Sequence, residues 1–522
     1  MKLTLQQYKE KVLGCWTGKN IGGTLGAPFE CKRGVFDVWF YTQDTKGEPL
    51  PNDDLDLQLV WLNAVEAHGR NVNATILGEY WLSFITPNWG EYGAGKNNMR
   101  AGLVPPLSGH VNNRFKDSNG AYIRSEIWAC LAPGNPDIAV RYAYEDAIVD
   151  HSGEGVYAEV FCAAVQSAAF VESDVQKLIQ IGLSYIPDDC GVAKGIRSAL
   201  IAYNSGKTWQ EARIQVLTDV PGSFGILGMD RKNVPDDVPI GPMGYDAPSN
   251  IGITLIGWLY GEGDFGKSIC IANNCGEDTD CTAATVGSIL GIIYGKSGIP
   301  KEWKDPIGDQ IKTLCINLGD QGVKIPKSVT ELTDRILRQT PLFLGTQLCD
   351  VVNASEGYTI EVKEGDDLLH QAQRFNAWEN RSFKDHVLAR SPYVVKHSFV
   401  ILDAYLRYED DPYMAEGVSK RFTLTIENRL YTQQVLTVKL HLPNVLEASP
   451  SARFTFPLEN YHCNIGKEEI GFTLTCGASA GLHGSSPSTY EAFLEISSLG
   501  RPTKGLIPIV LLHNPIAANK SS

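Results

Sequence analysis

Apolar residues recur at helical spacing through the first two thirds of the chain, and the runs end at glycine or polar residues. The clearest examples are LDLQLVWLNAVEAHG (55–69), AEVFCAAVQSAAFVES (158–173) and TAATVGSILGIIYG (282–295). They predict one large all-α, bundle-like domain over residues 1–340. The connection at 85–113 is long and rich in glycine, proline and asparagine, which predicts a functional loop.

From about residue 400 the apolar residues alternate with polar ones at period two. The segments are RFTLTIENRL (421–430), QVLTVKLHLPNV (434–445), EIGFTLTCG (469–477) and EAFLEISSL (491–499). They predict an antiparallel β-sandwich over residues 401–522. Residues 341–400 fit neither pattern and are predicted to connect the two domains. The chain is therefore expected to be a multidomain α and β protein.

Charge and composition exclude several classes of protein. The 522 residues contain 46 Lys and Arg against 60 Asp and Glu, a net charge of −14, whereas a general nucleic-acid binder needs clustered basic residues. The sequence contains no run of about 20 apolar residues, so no membrane span is predicted. The amino terminus is too charged for a secretory signal. The twelve cysteines are too widely spaced for a disulfide framework, which indicates reduced thiols. We therefore expect a cytoplasmic protein, and one without a membrane partner.

Three motifs match catalytic or metal-binding patterns in a poor context. GEGDFGKS (261–268) fits a P-loop with Lys267 and Ser268, but its flanks look helical, so a connecting loop is the preferred interpretation. GASAG around Ser479 fits a nucleophile elbow without the helix that should follow. Cys275 and Cys281 lack the paired spacing of a structural zinc site.

A glycine-rich stretch, GCWTGKNIGGTLGAPFE (14–30), places glycine every four residues from Gly14 to Gly26. One face of such a helix is bare, which predicts close packing of a second backbone. The run ends at Glu30. That carboxylate is either solvated or aimed into a cleft by the stiff Pro28 before it.

Two acidic clusters follow, each at a predicted helix start. Asn52 is a predicted N-cap before Asp53 and Asp54, and Asp278 and Asp280 crowd the second start together with Glu277. Adjacent carboxylates repel one another unless they are exposed or share a cation. The clusters are therefore either two capped, solvated helix starts or oxygen ligands for magnesium or calcium.

The three stretches together resemble the ADP-ribosylglycohydrolase family, which includes dinitrogenase-reductase-activating glycohydrolase and the J1 crystallins. TLGAPFE (24–30) matches the family's G-D-A-L-G-A-P-x-E without its early Asp. Residues 52–55 occupy the positions of the family's T-D-D-T motif, and residues 277–281 occupy those of its G-D-T-D-T motif. SNGAYIRS (118–125) is similar to the substrate-contacting G-N-G-x-x-M-R loop, and His151 lies where the family often has a Thr-His pair.

The resemblance implies one or two Mg²⁺ ions, with Ca²⁺ or Mn²⁺ as possible substitutes. The implied ligands are Asp53, Asp54, Asp278 and Asp280, with Asn52 and Cys281 at hydroxyl positions. The implied substrate-binding residues are Ser118, Asn119, Gly120, Arg124 and His151. Glu30, Asp53 and Asp54 are the candidate acids and bases, and Glu30 is preferred because it matches an acid that the family places beside the metals. Glu30 lies outside both acidic clusters of the sequence, so we expect that it need not bind the cation.

These observations favour a metal-dependent hydrolase that uses activated water to cleave a glycosidic bond of an ADP-ribosyl or other small glycosyl substrate. A P-loop nucleotide-binding protein and a non-catalytic, crystallin-like protein are the alternatives. Five aromatic residues are expected either to stack on carbohydrate or adenine rings or to pack in the core. They are Trp39, Tyr41, Trp81, Trp89 and Tyr92. The β domain is expected to be an accessory domain, and the chain a possible homo-oligomer.

Overall fold

A computed structural model describes residues 1–30, 32, 34–220, 245–317, 323–353, 357–370, 393–430, 432–460, 466–477 and 489–513. The chain divides into two compact units. The first contains residues 1–95 and 108–371, and the second contains residues 96–107 and 372–522. The predicted order, a large helical region followed by β-structure, is confirmed.

The described helices follow one another closely from residue 5 to residue 344. They are α1 (Leu5–Gly26), α2 (Asp53–His68), α3 (Ala74–Phe84), α4 (Gly90–Arg100), α5 (Leu107–His110), α6 (Glu126–Leu131), α7 (Pro136–Ala147), α8 (Glu154–Ala168), α9 (Val175–Ser184), α10 (Gly191–Asn204), α11 (Trp209–Asp219), α12 (Ala247–Tyr260), α13 (Phe265–Asn274), α14 (Thr279–Gly298), α15 (Lys301–Lys304) and α16 (Val329–Leu344). The three helical segments used for the prediction correspond to α2, α8 and α14. None of the described helices has the length and hydropathy that a transmembrane helix needs.

Helices α1 and α14 form the closest pair in the first unit, and glycine makes that contact possible. A Cβ at Gly14 would lie 2.0 Å from the carbonyl oxygen of Gly291, and one at Gly18 would lie 1.9 Å from that of Gly287. At the end of α1, a Cβ at Gly26 would lie 2.4 Å from Asp280 Cα. The predicted bare helix face is confirmed, and the contact brings the end of α1 to the beginning of α14.

The prediction of one long loop over residues 85–113 is wrong. Helices α4 and α5 lie within it. Glycine and asparagine dominate the sequence of α4, GEYGAGKNNMR, so it has no apolar stripe by which periodicity could reveal it.

The described strands are β1 (Lys2–Thr4), β2 (Cys349–Asn353), β3 (Gly357–Glu361), β4 (Val394–Ser398), β5 (Leu402–Tyr408), β6 (Tyr413–Met414), β7 (Ser419–Asn428), β8 (Gln434–His441), β9 (Leu446–Ser449), β10 (Arg453–Leu458), β11 (Lys467–Cys476), β12 (Thr489–Ser498) and β13 (Lys504–His513). The second unit contains two five-stranded sheets, ordered β10-β8-β12-β13-β6 and β4-β5-β7-β11-β9. Neighbouring strands are antiparallel except β13 and β6, which are parallel. Face-to-face closure of the sheets into a sandwich stays a prediction.

A third sheet belongs to the first unit. Strand β3 pairs with β1 at the amino terminus and with β2, in the order β1-β3-β2. Residues 341–370 therefore cluster with the helices, whereas the sequence-based boundaries placed 341–400 between two domains. Strand pairing across more than 350 residues leaves no local signal in a sequence.

Candidate functional site

The site begins at the amino terminus of α2. Asn52 caps the helix, because its Oδ1 accepts the backbone N–H of Asp54 at 2.7 Å, as predicted. Its Nδ2 donates to Asp280 Oδ2 at 3.2 Å. Tyr92 donates its hydroxyl to Asp53 Oδ2 at 2.8 Å. Both acidic clusters therefore meet at one place, although more than 200 residues separate them in the chain.

The amino terminus of α14 supplies the second cluster. Asn119 Nδ2 donates to Asp278 Oδ2 at 2.7 Å, and the backbone N–H of Asp278 donates to Asn250 Oδ1 at 3.2 Å. Asp278 and Asp280 are both buried, and the Oδ1 atom of each has no hydrogen-bond partner among the described residues. Buried carboxylate oxygens without a donor are costly unless a cation binds them.

Ligand atoms in this region fall into two groups, each within 4.8 Å. Glu30, Asp278 and Asp280 form an all-oxygen group, and Asp54, Asp280 and Cys281 form a group that contains sulfur. Glu30 is outside both acidic clusters in the sequence, but in the structure its carboxylate lies beside Asp278 and Asp280. The glycine contact between α1 and α14 is the physical reason, since Glu30 follows α1 by only a few residues.

Mutual repulsion and burial dominate the electrostatics. The negative charge of Asp280, followed by partial desolvation of a side chain that still has exposed surface, raises the pKa of Glu30 to about 9. Burial raises the pKa of Asp278 to about 7, and burial together with Asp278 raises the pKa of Asp280 well above its usual range. Without a cation, Glu30 holds a proton at neutral pH and Asp278 is close to half-protonated, and a divalent ion would displace these protons.

Lys19, which sequence reasoning missed, supplies positive charge to the site. It is 2% exposed, and its Nζ lies 3.2 Å from Asp54 Oδ2 and 3.1 Å from Glu126 Oε1. It also donates to the carbonyl oxygen of Ile123 at 2.7 Å. A lysine inside the glycine-rich segment GCWTGKNIGG was the available signal, because a charge in a helix packed this tightly requires a partner.

The substrate-loop candidates lie beside the acidic site. Ser118 Oγ is 2.9 Å from His151 Nε2, and His151 Nδ1 is 2.8 Å from Asp150 Oδ1. This connectivity is that of a Ser-His-Asp triad. However, the backbone N–H groups of Ser118 and Asn119 donate to the carbonyl oxygens of Phe115 and Tyr245, so neither is available for an oxyanion.

Arg124 is fully buried and holds the loop from inside. Its Nε lies 2.8 Å from Asp146 Oδ1 and its Nη2 lies 2.6 Å from Asp150 Oδ1. Its Nη1 donates to the carbonyl oxygen of Gly120. The guanidinium therefore positions residues 118–124, while direct contact with substrate stays a prediction. Gly120 itself is required, since a Cβ there would lie 2.1 Å from Glu91 Oε1.

The aromatic candidates separate into buried and exposed residues. Trp81 and Tyr92 are buried and 4.9 Å apart between ring centroids, so they pack in the core. Trp39 and Trp89 are exposed. The Tyr41 hydroxyl donates to the carbonyl oxygen of Trp303 at 2.9 Å. Of the five, only Trp39 and Trp89 have the exposure expected for ring stacking.

The P-loop motif forms no nucleotide site among the described residues. GEGDFGKS directly follows α12, and its last four residues begin α13, so no strand precedes it. Lys267 Nζ pairs with Glu262 Oε2 at 2.8 Å. The P-loop alternative is therefore not supported. Ser479 lies outside the described residues.

Comparison with known proteins identifies the family. Residues 4–338 match the family described as ADP-ribosylglycohydrolase. The chain belongs to the ADP-ribosylglycohydrolase family. A solved structure described as an "ADP-ribosylglycohydrolase-related protein complex" has a TM-score of 0.41 and 18% identity, and the match covers 65% of this chain and 100% of that one.

Two curated relatives of this chain are described as "ADP-ribosylarginine hydrolase Tri1". The protein from Serratia proteamaculans (strain 568) is 43% identical over 58 residues, which is 11% of this chain and 15% of the relative. The protein from Pseudomonas putida (strain GB-1) is 32% identical over 69 residues, which is 13% of this chain and 19% of the relative. The chain thus matches less than a fifth of the length of either relative.

Two of the positions at which the chain departs from the family motifs, Gly23 and Asn52, are in contact. Gly23 stands where the first motif has Asp, and Asn52 stands where the second has Thr. A Cβ at Gly23 would lie 2.5 Å from Asn52 Nδ2. The Asn52 amide therefore occupies the room that a side chain at position 23 would need, so each departure accommodates the other.

Proposed function

We propose that this chain is a divalent-cation-dependent glycohydrolase that cleaves the bond between an ADP-ribosyl or other glycosyl group and its carrier. One observation carries the proposal. In a member of this family, Asp278 and Asp280 each present a buried, unpartnered carboxylate oxygen at the meeting point of three family motifs. Buried carboxyl groups with raised pKa values are concentrated at functional sites, which supports a catalytic role over a structural one.

The residues fit a hard cation. Glu30, Asp278 and Asp280 offer only oxygen atoms, which Mg²⁺, Mn²⁺ and Ca²⁺ prefer. When bound, such an ion fixes vicinal sugar hydroxyls and acidifies a nearby water. Asn119 orients Asp278, because its side-chain amide donates a hydrogen bond to Asp278 Oδ2. Asn52 does the same for Asp280.

Acid and base roles follow from accessibility. Glu30 is exposed and Asp53 is half-buried, whereas Asp54 is buried against Lys19. We therefore assign the proton transfers to Asp53 and to the carboxylate oxygen of Glu30 that does not bind the cation, and we assign no proton transfer to Asp54. Tyr92 holds Asp53 Oδ2, which leaves Asp53 Oδ1 to exchange a proton with water or with the leaving group.

The loop of Ser118, Asn119 and Gly120 is proposed to bind the sugar. Its backbone is held rigid by Arg124, and Ser118 is held by His151. Because the loop is already rigid, it loses little conformational entropy when it binds and orients the substrate. The exposed rings of Trp39 and Trp89 are the candidates for stacking on a base or a sugar.

The test is hydrolysis of a panel of ADP-ribosyl-arginine, other ADP-ribosyl conjugates and simple glycosides, with chelator and with added Mg²⁺. We expect cation-dependent release of ADP-ribose or of a free sugar. Asp278→Asn should abolish Mg²⁺ binding and turnover together. The matched control is Asp188→Asn, since Asp188 is an exposed aspartate paired with Arg197, and it should behave as wild type. A protein that retains no metal and cleaves nothing would favour the crystallin-like alternative.

A further inference from the structure

Cys281 is the unusual member of the acidic site. It is 7% exposed. Its sulfur and one carboxylate oxygen each from Asp54 and Asp280 all lie within 4.8 Å of one another. Sulfur is a poor ligand for magnesium and a good one for zinc and other borderline ions. The group with Cys281 and the all-oxygen group with Glu30 therefore differ in the metal they suit, although Asp280 belongs to both.

The contact between Cys281 and Asp54 has the separation expected of zinc ligands. Cys281 Sγ lies 3.4 Å from Asp54 Oδ1. Tetrahedral zinc, with a zinc–sulfur bond of about 2.3 Å and a zinc–oxygen bond of about 2.0–2.2 Å, holds two such atoms about 3.5 Å apart. An ion can therefore replace the thiol proton between these atoms with little movement of either side chain.

The neighbours leave the right atoms available. Lys19 Nζ lies beside Asp54 Oδ2, so Oδ1 is the oxygen that faces the thiol. Asn52 donates to Asp280 Oδ2, and the buried Asp280 Oδ1 has no partner among the described residues. Three protein ligands with a fourth position for water or substrate is the usual composition of a catalytic zinc site.

We propose that Asp54, Asp280 and Cys281 form a cation position selective for zinc-class ions over magnesium. On binding, the Cys281 S–H bond breaks, its proton leaves to solvent, and a sulfur–metal bond forms without change of oxidation state. The neighbouring group of Glu30, Asp278 and Asp280 keeps its preference for hard ions. The catalytic use of this position rests on the proposed function, but its existence does not.

The experiment is a cobalt titration of the full chain after chelator treatment. We expect a near-ultraviolet thiolate-to-cobalt charge-transfer band that saturates at one equivalent, disappears on adding one equivalent of Zn²⁺ and persists in excess Mg²⁺. Cys281→Thr, which restores the residue of the family motif, should abolish the band. It should also weaken zinc binding by at least about tenfold, since outer-shell partners alone are worth 10–100-fold.

Cys270→Ser is the matched control, because Cys270 is another buried cysteine and lies on α13, outside the group. It should keep the band. X-ray absorption at the zinc edge of the wild-type protein needs no variant and should show one sulfur at about 2.3 Å among lighter ligands. A wild-type cobalt complex without the band, a band that survives Cys281→Thr, or a zinc shell of oxygen and nitrogen only would each overturn the proposal.

The outcomes separate this inference from the proposed function. A thiolate–cobalt band in a protein that hydrolyses none of the glycosyl substrates would support the proposed metal position and refute the proposed hydrolase function. Magnesium-dependent hydrolysis without the band would keep the hydrolase and reject the sulfur ligand.

Discussion

Replacing Lys19 by methionine tests whether buried charge balance supports the acidic site. Methionine keeps most of the aliphatic length of lysine and removes the ammonium that lies between Asp54 and Glu126. Both carboxylates stay buried and lose their cationic partner. We expect the variant to be less stable than wild type and to depend more strongly on added divalent cation.

The magnitude follows from the geometry. At 3.2 Å and 3.1 Å, each ion pair is worth about 5 kcal/mol at an effective dielectric constant of about 20. The desolvation of each ion, at several kcal/mol, opposes this gain. Loss of one partner from a buried ion pair costs about 3–5 kcal/mol, since the remaining charge is uncompensated. A cation at 100 times its Kd restores about 2.7 kcal/mol.

Urea unfolding followed by the helical circular-dichroism signal measures this effect in the first unit, with chelator and with Mg²⁺. Lys9→Met is the matched control, because Lys9 lies on the same helix and pairs with Asp334 at 2.7 Å on the surface. Its loss should cost less than about 1 kcal/mol. A Lys19→Met protein as stable as the Lys9→Met control would refute the reasoning. A loss that cation leaves unchanged would separate Lys19 from the metal site.

The remaining predictions concern the acidic site and its loop. Glu30→Gln should lower turnover by about 100- to 10,000-fold, as removal of a general acid or base does; near-normal kcat on the true substrate would transfer the role to Asp53. Cation-free protein should lose stability as pH rises toward 9, because folded Glu30, with its pKa raised from 4.5 to about 9, keeps a proton that the unfolded chain releases. Thermal melting against pH in chelator should show this slope, and saturating Mg²⁺ should remove it. Asn119→Ala should weaken cation binding about 10- to 100-fold, as loss of an outer-shell partner does, and calorimetric titration with Mn²⁺ checks it. Lys267→Ala should leave turnover unchanged, and a loss of activity would reopen the nucleotide interpretation.

Local pattern was enough for several features. The four-residue glycine spacing determined that a second backbone packs against α1, because only glycine allows backbones so close. Asn52 was predictable as an N-cap because capping depends on neighbouring residues. The strands β7, β8, β11 and β12 could also be predicted, because the alternation of apolar and polar residues reflects one buried and one exposed face.

Long-range packing decided the rest. The joining of Glu30 to Asp278 and Asp280 depends on how far α1 extends along α14, and no property of residues 27–30 encodes that distance. The pairing of Lys19 with Asp54 and the pairing of β1 with β3 likewise join residues that are distant in the sequence. Spacing and propensity record which face of an element is buried. Only the tertiary structure determines which charges meet there, and those contacts set the pKa values of the carboxyl groups at this site.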